Sequence, residues 1–422
     1  MMLMRNAAKG RMAGPAAGGG GSGLLLTLNP ALASNPAYEY WNSATDGGNY
    51  LGAFVTSDGQ VHGDTQGASV SLQVIGEGSQ AGRLFMTGYG GTAIAEIAIP
   101  ALVTGTNPAA LNIATMTQNY RNATSVQAWD QGPPIYQAGG FDIPRINGIS
   151  TFNGQVIIGA CGVYDNNNIP ENMQVYRDAT AIASSAQSPM FRITGGRHHA
   201  GWLVDIPAEF QDEFGGTHLY GFGGGLSIAS SQGLGVCMGV VDAQDILDAT
   251  SASEVVTGTL VTDFSEATPM SDYFGALEWN PLTRAVCFFF VPNTRTIMAV
   301  GSNWAGETPL IYHETNDQGY FYPGHGPQDG YDYQNEYFLF DIDDVLAAKA
   351  GSIALNAVRP YEQGALPLYP FCAPYLGLNL IGGGWFDNST KRLYFTIQAG
   401  RQIDEFTPVP TIGVLDFSGV GA

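Results

Sequence analysis

GGGWFDNSTKRLYFTI, at residues 382–397, has the form of a β-hairpin: an apolar strand, a polar turn and a second, more apolar strand. Its turn, DNST, consists of side chains that hydrogen-bond to nearby backbone groups and so reverse the chain. The same order recurs in SVSLQVIGEGSQAGRLFMTGY (69–89), GISTFNGQVIIGACGVY (148–164) and ALEWNPLTRAVCFFFV (276–291), and less regularly over 200–241. These repeats predict antiparallel β-structure built from about five similar units.

A further strand that ends in an acidic or proline-containing element follows several hairpins. It occurs as IAEIAIP (94–100), VVDAQDIL (240–247), YFLFDIDDVL (337–346) and TIGVLDF (411–417). This is the strand order of a propeller blade, and irregular spacing is tolerated because each blade contacts only its neighbours. We therefore predict an all-β fold, a β-propeller of about five blades over residues 68–422. Two short helices are expected between blades, at 206–216 and 342–351.

The charge is distributed unevenly along the chain. The net charge is -21, yet residues 1–30 contain Arg5, Lys9 and Arg11 and no acidic residue. An acidic body of this kind repels nucleic acid and anionic membranes, because both present negative phosphates. No apolar run approaches the roughly 20 residues of a membrane span. Neither a nucleic-acid partner nor a membrane span is expected.

The N-terminal region differs from the body in composition. Residues 1–30 predict a flexible, basic, Gly-rich anchoring arm, because polyglycine does not fold alone and can lie along a neighbouring subunit. Residues 31–67 are interpreted as a cap or collar. An export signal is the alternative interpretation of the first 34 residues. The residues expected to make assembly contacts are Arg5, Lys9, Arg11, Leu24, Leu25 and Leu26.

The densest polar and aromatic stretch is YHETNDQGYFYPGHGPQDGYDYQNEYF, at residues 312–338. Tyrosine rings can stack on the apolar face of a sugar while carboxylates accept hydroxyl protons. A long loop packed on itself or on another subunit is the alternative. The candidate ligand-binding residues are Tyr320, Tyr322, His325, Asp329, Tyr331, Asp332 and Tyr333. The sequence shows no arrangement of residues typical of a catalytic site. Whether the protein is an enzyme stays open, and the sequence favours a protein without catalytic activity.

Other polar and glycine-rich motifs favour structural roles. His198 and His199 precede Asp205, which suggests a general base near a carboxylate. The two histidines would face opposite sides of a strand, which argues against one shared site. The acidic stretch at 165–172 lacks the residue order of a calcium loop and favours a turn. Glycine strings at 221–225 and 381–385 do not open helices, so they predict close strand packing rather than phosphate binding.

The cysteines give no evidence of a metal site or a cofactor. Cys161, Cys237, Cys287 and Cys372 show no paired spacing, and the first three lie in apolar, strand-like runs. Cysteine in such runs behaves as a small core residue. We predict buried free thiols, with disulfides as the alternative, and neither metal nor cofactor.

Four stretches resemble a group of uncharacterised, mostly exported bacterial proteins of β-propeller type. They are RLFMTGYGGTAIAEIAIPALV, LVDIPAEFQDEFGG, YFLFDIDDVLAAKAG followed by VRPYEQGALPL, and GGGWFDNSTKRLYFTIQAG. The resemblance spans roughly 68–417 and implies the fold, without functional residues. The basic, Gly-rich leader resembles the anchoring arms of tailed-phage virion (tail) proteins, which implies a place in a larger assembly.

Two functional hypotheses follow. The first is a structural or interaction component of a bacteriophage tail or other virion. It would be anchored to other subunits through residues 1–30, be located in the virion and contact a host cell-surface glycan during host attachment. The alternative is a secreted or cell-surface bacterial propeller that binds or cleaves polysaccharide.

Overall fold

The computed structural model describes residues 23–41, 50–56, 74–88, 93–105, 107–120, 144–162, 173–193, 202–222, 236–251, 254–263, 283–304, 333–366, 381–402 and 408–421. The strands of the first half are β1 (Leu25–Thr27), β2 (Tyr38–Tyr40), β3 (Tyr50–Val55), β4 (Ile75–Glu77), β5 (Arg83–Gly88), β6 (Ala93–Ala98), β7 (Thr115–Tyr120), β8 (Pro144–Phe152), β9 (Gln155–Gly162), β10 (Met173–Tyr176) and β11 (Arg192–Ile193). Those of the second half are β12 (Leu203–Asp205), β13 (His218–Phe222), β14 (Cys237–Val241), β15 (Val255–Val256), β16 (Thr259–Asp263), β17 (Arg284–Phe290), β18 (Thr296–Trp304), β19 (Tyr333–Asp341), β20 (Glu362–Ala365), β21 (Ile381–Asp387), β22 (Arg392–Gln402) and β23 (Pro408–Asp416). The α-helices are α1 (Ala208–Phe214), α2 (Ala243–Asp248) and α3 (Ile342–Lys349).

Five antiparallel sheets form the body of the protein. In order, they are β4-β5-β6-β7, β8-β9-β10, β12-β13-β14-β16, β17-β18-β19-β20 and β21-β22-β23-β3. The first strand of each sheet contacts the first strands of the two adjacent sheets, and these contacts close into a ring. The protein is therefore a five-bladed β-propeller, and the sequence prediction of the fold is confirmed.

The ring is closed by a strand from the N-terminal part of the chain. β3 is the outer strand of the fifth blade and pairs antiparallel with β23, with Val55 opposite Thr411 and Phe54 opposite Ile412. The other three strands of this blade come from the C-terminal end of the chain. The structure thus places β3 in the propeller, although the sequence analysis assigned it to the cap at 31–67.

Turn chemistry decides where each hairpin reverses. Between β8 and β9, Asn153 (φ 49°) and Gly154 (φ 71°) adopt the left-handed conformation that tight hairpins require. The hairpin predicted over 276–291 has its first strand and its turn outside the described residues. Its second strand, β17, is the inner strand of the fourth blade and pairs with β18. The chain reverses after β17, where Asn293 (φ 59°) takes the left-handed position.

Glycine permits close approach of the inner strands around the axis. A Cβ on Gly76 would lie 2.2 Å from the Ile149 carbonyl oxygen, and one on Gly384 would lie 2.5 Å from Cys287 Cβ. Gly384 belongs to the glycine string at 381–385, so close packing is confirmed there. Cys237 and Cys287 are buried free thiols, as predicted. Cys372 and the Cys161 side chain lie outside the described part of the chain.

The helices occupy connections between strands. α1 and α3 confirm the two predicted helices, and Gly215 (φ 67°) ends α1. Their expected position between blades was wrong, because α1 connects β12 to β13 within the third blade and α3 connects β19 to β20 within the fourth. α2 was not predicted. It begins after Asp242, whose side chain accepts the Gln244 N–H at 2.9 Å and so caps the first turn. The buried Arg295 links α1 to α3 through Glu213 (2.9 Å) and Asp343 (2.6 Å).

Residues 23–41 pack against the outer parts of the fourth and fifth blades. Leu26 is fully buried; its N–H donates to Thr296 Oγ1 (2.8 Å), and its carbonyl accepts the Tyr361 hydroxyl (2.6 Å). Trp41 lies 4.0 Å from Phe417 between ring centroids. This segment is therefore part of the folded body of its own chain.

No helix within the described ranges is long and apolar enough to cross a membrane.

Candidate axial site

A cavity of about 700 Å³ opens at one mouth of the propeller axis. All five blades contribute to it, because their inner strands end there. The contributions are Glu77 at the end of β4, Thr151 and Phe152 at the end of β8, Asp205 at the end of β12, Phe290 at the end of β17, and Asn388 and Lys391 after β21. The first turn of α1 forms part of the wall. Concave sites of this size are typical of small-ligand binding.

The environments of two carboxylates at this mouth shift their pKa values in opposite directions. Burial in the mouth, with repulsion from Asp205 and Asp387, raises the pKa of Glu77 to about 7. Burial would also raise the pKa of Asp387, but hydrogen bonds from Ser389 and Thr390 outweigh it and hold the pKa below its ordinary value. Near neutral pH, Glu77 is thus partly protonated while Asp387 is ionised. Such a divergence is how one site supplies both an acid and a carboxylate.

A third carboxylate at the mouth is paired with a buried histidine. Asp205 Oδ1 lies 2.6 Å from His218 Nε2, and the two residues are direct cross-strand partners on β12 and β13. The His218 side chain is 2% exposed, whereas that of Asp205 is 55% exposed. The ring of Phe152 meets the His218 ring edge-on at 5.2 Å, and both residues line the cavity. Asp205 is therefore the accessible member of the pair.

The axis beyond this mouth is almost filled by side chains. Where Trp202, Leu203, Phe288 and Trp385 line the axis, the remaining space is only about 20 Å³. Trp202 and Phe288 stack there with their ring centroids 4.3 Å apart. A ligand in the cavity would therefore meet an apolar floor and an acidic rim.

Of the sequence-predicted ligand residues, Tyr333 is the one within the described part of the chain. Tyr320, Tyr322, His325, Asp329, Tyr331 and Asp332 lie outside the described residues, as do His198, His199 and the acidic stretch at 165–172. Tyr333 begins β19 opposite Trp304. These strand ends lie at the end of the blade where β17 starts, because Arg284 pairs with Ser302. The axial cavity lies at the other end of the inner strands.

The predicted assembly residues fall in two groups. Arg5, Lys9 and Arg11 lie outside the described residues. Leu24 and Leu26 bond to the body of the same chain, with the Leu24 carbonyl accepting the Arg295 N–H at 2.8 Å, and Leu25 lies on β1 opposite Tyr38. The assembly contact stays a prediction.

Sequence reasoning missed the residues of the axial mouth. Glu77 and Asp387 looked like strand-end and turn residues, and His218 like part of an apolar strand. Asp205 was considered only as a carboxylate near His198 and His199. One signal was present: each carboxylate ends the first strand of a hairpin in the first, third or fifth unit. Once the inner strands are known to form a ring, corresponding strand ends must converge.

Among the described residues, no group of three or more His, Cys, Asp and Glu side chains is placed to hold a metal ion.

No family model and no curated protein matches this chain. Among solved structures, the chain is similar to the Bacillus subtilis arabinanase Arb43A, with 12% identity, 87% of this chain and 98% of that chain covered, and a TM-score of 0.45. It is also similar to a luciferin-regenerating enzyme (10% identity, 88% and 94% covered, TM-score 0.32). The phage phi92 endosialidase shows 6% identity, 91% and 73% coverage and a TM-score of 0.37. At these values we transfer no activity from them.

Proposed function

We propose that this protein binds a polysaccharide at the axial mouth and cleaves a glycosidic bond there. The observation that carries the proposal is the convergence of the Glu77 and Asp205 carboxyl groups on one cavity, with Asp387 close enough to raise the pKa of Glu77 by repulsion. Cleavage of a glycosidic bond uses two carboxyl groups, one protonated and one ionised. Near neutral pH, Glu77 is the carboxyl group that is partly protonated, as the acid must be. Asp387 is the ionised carboxylate.

The remaining groups at the mouth suit a sugar. The half-exposed carboxylate of Asp205 can accept hydrogen bonds from sugar hydroxyls. Phe152 is partly exposed, lines the same cavity and can pack on the apolar face of a sugar ring. The cavity volume is sufficient for a short oligosaccharide segment.

The test is release of reducing ends from a panel of soluble polysaccharides: arabinan, xyloglucan and polysialic acid. The wild type is expected to hydrolyse at least one of them, and Glu77→Gln should lower kcat about a hundredfold or more, because it removes the general acid. Asp212→Asn, on the exposed side of α1 away from the cavity, is the matched control and should leave the rate unchanged. Hydrolysis that persists in Glu77→Gln would refute the assignment.

The proposed activity also bears on where the protein is located and whether it is part of a larger assembly. We favour a secreted or cell-surface protein, because polymeric glycans are encountered outside the cell. The virion role, with residues 1–30 contacting other subunits and the body contacting a host glycan, stays a prediction without a described contact in its support. Removal of residues 1–22 separates the two: an enzyme keeps its rate, whereas a virion component loses incorporation into particles.

A further inference from the structure

The first turn of α1 presents an exposed carboxylate to the axial cavity. Glu209 lines the cavity and is exposed to solvent. Within the described part of the chain, its carboxylate has no hydrogen-bond or ion-pair partner. A carboxylate is an acceptor only, and its two oxygens can accept several hydroxyl protons. Glu209 can therefore bind a sugar without giving up a contact within the protein.

The second turn of α1 is tied to the fourth blade. The buried Arg295 donates from Nη1 and Nη2 to the two carboxylate oxygens of Glu213, at 3.2 and 2.9 Å. Its guanidinium carbon lies 5.5 Å from the centroid of the Phe210 ring. Lys349 Nζ donates to the Glu213 carbonyl at 3.1 Å and also to the Phe214 carbonyl. These contacts fix the end of α1 that lies away from Glu209.

The pair between Arg295 and Glu213 also sets the direction of Glu209. Glu209 and Glu213 are four residues apart on α1, so their side chains lie on the same face of the helix. A guanidinium that binds both oxygens of a carboxylate fixes orientation as well as distance. A rotation of α1 that turned Glu209 away from the cavity would carry Glu213 with it and break the pair.

We infer that Glu209 binds a hydroxyl of the substrate, and that Arg295 is a positioning residue that acts through Glu213 to hold the helix carrying Glu209. This inference rests on the proposed function. Glu209 contributes to substrate binding, whereas Glu77 and Asp387 contribute to bond cleavage.

Isothermal titration calorimetry with arabinan, xyloglucan and polysialic acid tests the role of Glu209. The full chain carrying Glu77→Gln is used, because that change prevents turnover. Loss of a hydrogen bond to a charged acceptor typically weakens binding about tenfold. Glu209→Gln should therefore raise Kd about tenfold. Asp212→Asn, an equal loss of charge on the same helix away from the cavity, should leave Kd within about twofold. A Kd unchanged by Glu209→Gln overturns the inference.

Two variants that each remove one carboxylate from Arg295 test the positioning role. Glu213→Gln breaks the bidentate pair to α1 and should raise Kd severalfold. Asp343→Asn removes the partner on α3 and leaves the pair with Glu213 in place, so Kd should stay within about twofold. Both carboxylates are partly exposed, at 31% and 54%, so both variants should fold. An unchanged Kd in Glu213→Gln, or equal rises in both variants, overturns the positioning role.

Steady-state kinetics with Glu77 in place separate this inference from the proposed function. Glu209→Gln should raise KM with kcat within about twofold of wild type. The pH at which the rate declines should not move, because the charges that raise the pKa of Glu77 belong to Asp205 and Asp387. A shifted pH profile or a lower kcat overturns the binding role of Glu209. Binding that depends on Glu209 without hydrolysis overturns only cleavage, and absence of binding overturns both.

Discussion

Replacement of Leu26 by alanine tests whether residues 23–41 are part of the folded body. Leu26 is fully buried and lies in the same apolar cluster as Phe289, Leu393 and Phe417. Truncation of a fully buried leucine costs about 2–5 kcal/mol, from lost transfer free energy and the cavity left behind. We expect about 3 kcal/mol here. An unfolding entropy of about 2.1 cal/mol/K per residue over 422 residues converts this to a Tm lower by about 3 °C.

Differential scanning calorimetry measures this shift. The matched control is Ile113→Ala, because Ile113 is a large apolar residue that is 46% exposed. Removal of a side chain that is already hydrated costs about 0.5 kcal/mol or less, so the control Tm should move by less than about 1 °C. If Leu26→Ala melts like the wild type, the N-terminal segment does not contribute to the stability of the body, and the packing argument fails.

Three further predictions concern the axis and two carboxyl groups. Gly384→Ala should destabilise the protein by about 1–3 kcal/mol in urea unfolding, because the new Cβ would lie 2.5 Å from Cys287 Cβ; an unchanged midpoint would contradict the close packing. Hydrolysis should decline as pH rises through about 7, where the acid Glu77 loses its proton; a rate that is flat there excludes Glu77 as the acid. Burial raises the pKa of Glu336 from 4.5 to about 7, so the stability it contributes when protonated is lost as pH rises through that value. Glu336→Gln should make the Tm less dependent on pH over that interval, and an unaltered pH dependence would show that Glu336 titrates normally.

Local sequence signals were enough to predict the repeated units of the fold. Strand alternation, turn residues such as Asn153-Gly154, and the glycine that ends α1 depend on neighbouring residues in the chain. These features were predicted because their causes are local. Turn-forming stretches flank β17 on both sides, so local signals do not show that β17 pairs with β18; only the tertiary structure does.

The sequence alone therefore determined a β-propeller of about five similar units, the positions of two helices and the buried thiols at Cys237 and Cys287. The tertiary structure decided which strands close the ring, including the placement of β3 beside β23. The tertiary structure also decided which side chains meet at the axial mouth. Glu77, Asp205 and Asp387 are far apart along the chain and meet because the inner strands of a propeller end around one axis. The pKa displacements depend on that convergence, since burial and mutual repulsion arise only when the blades are assembled.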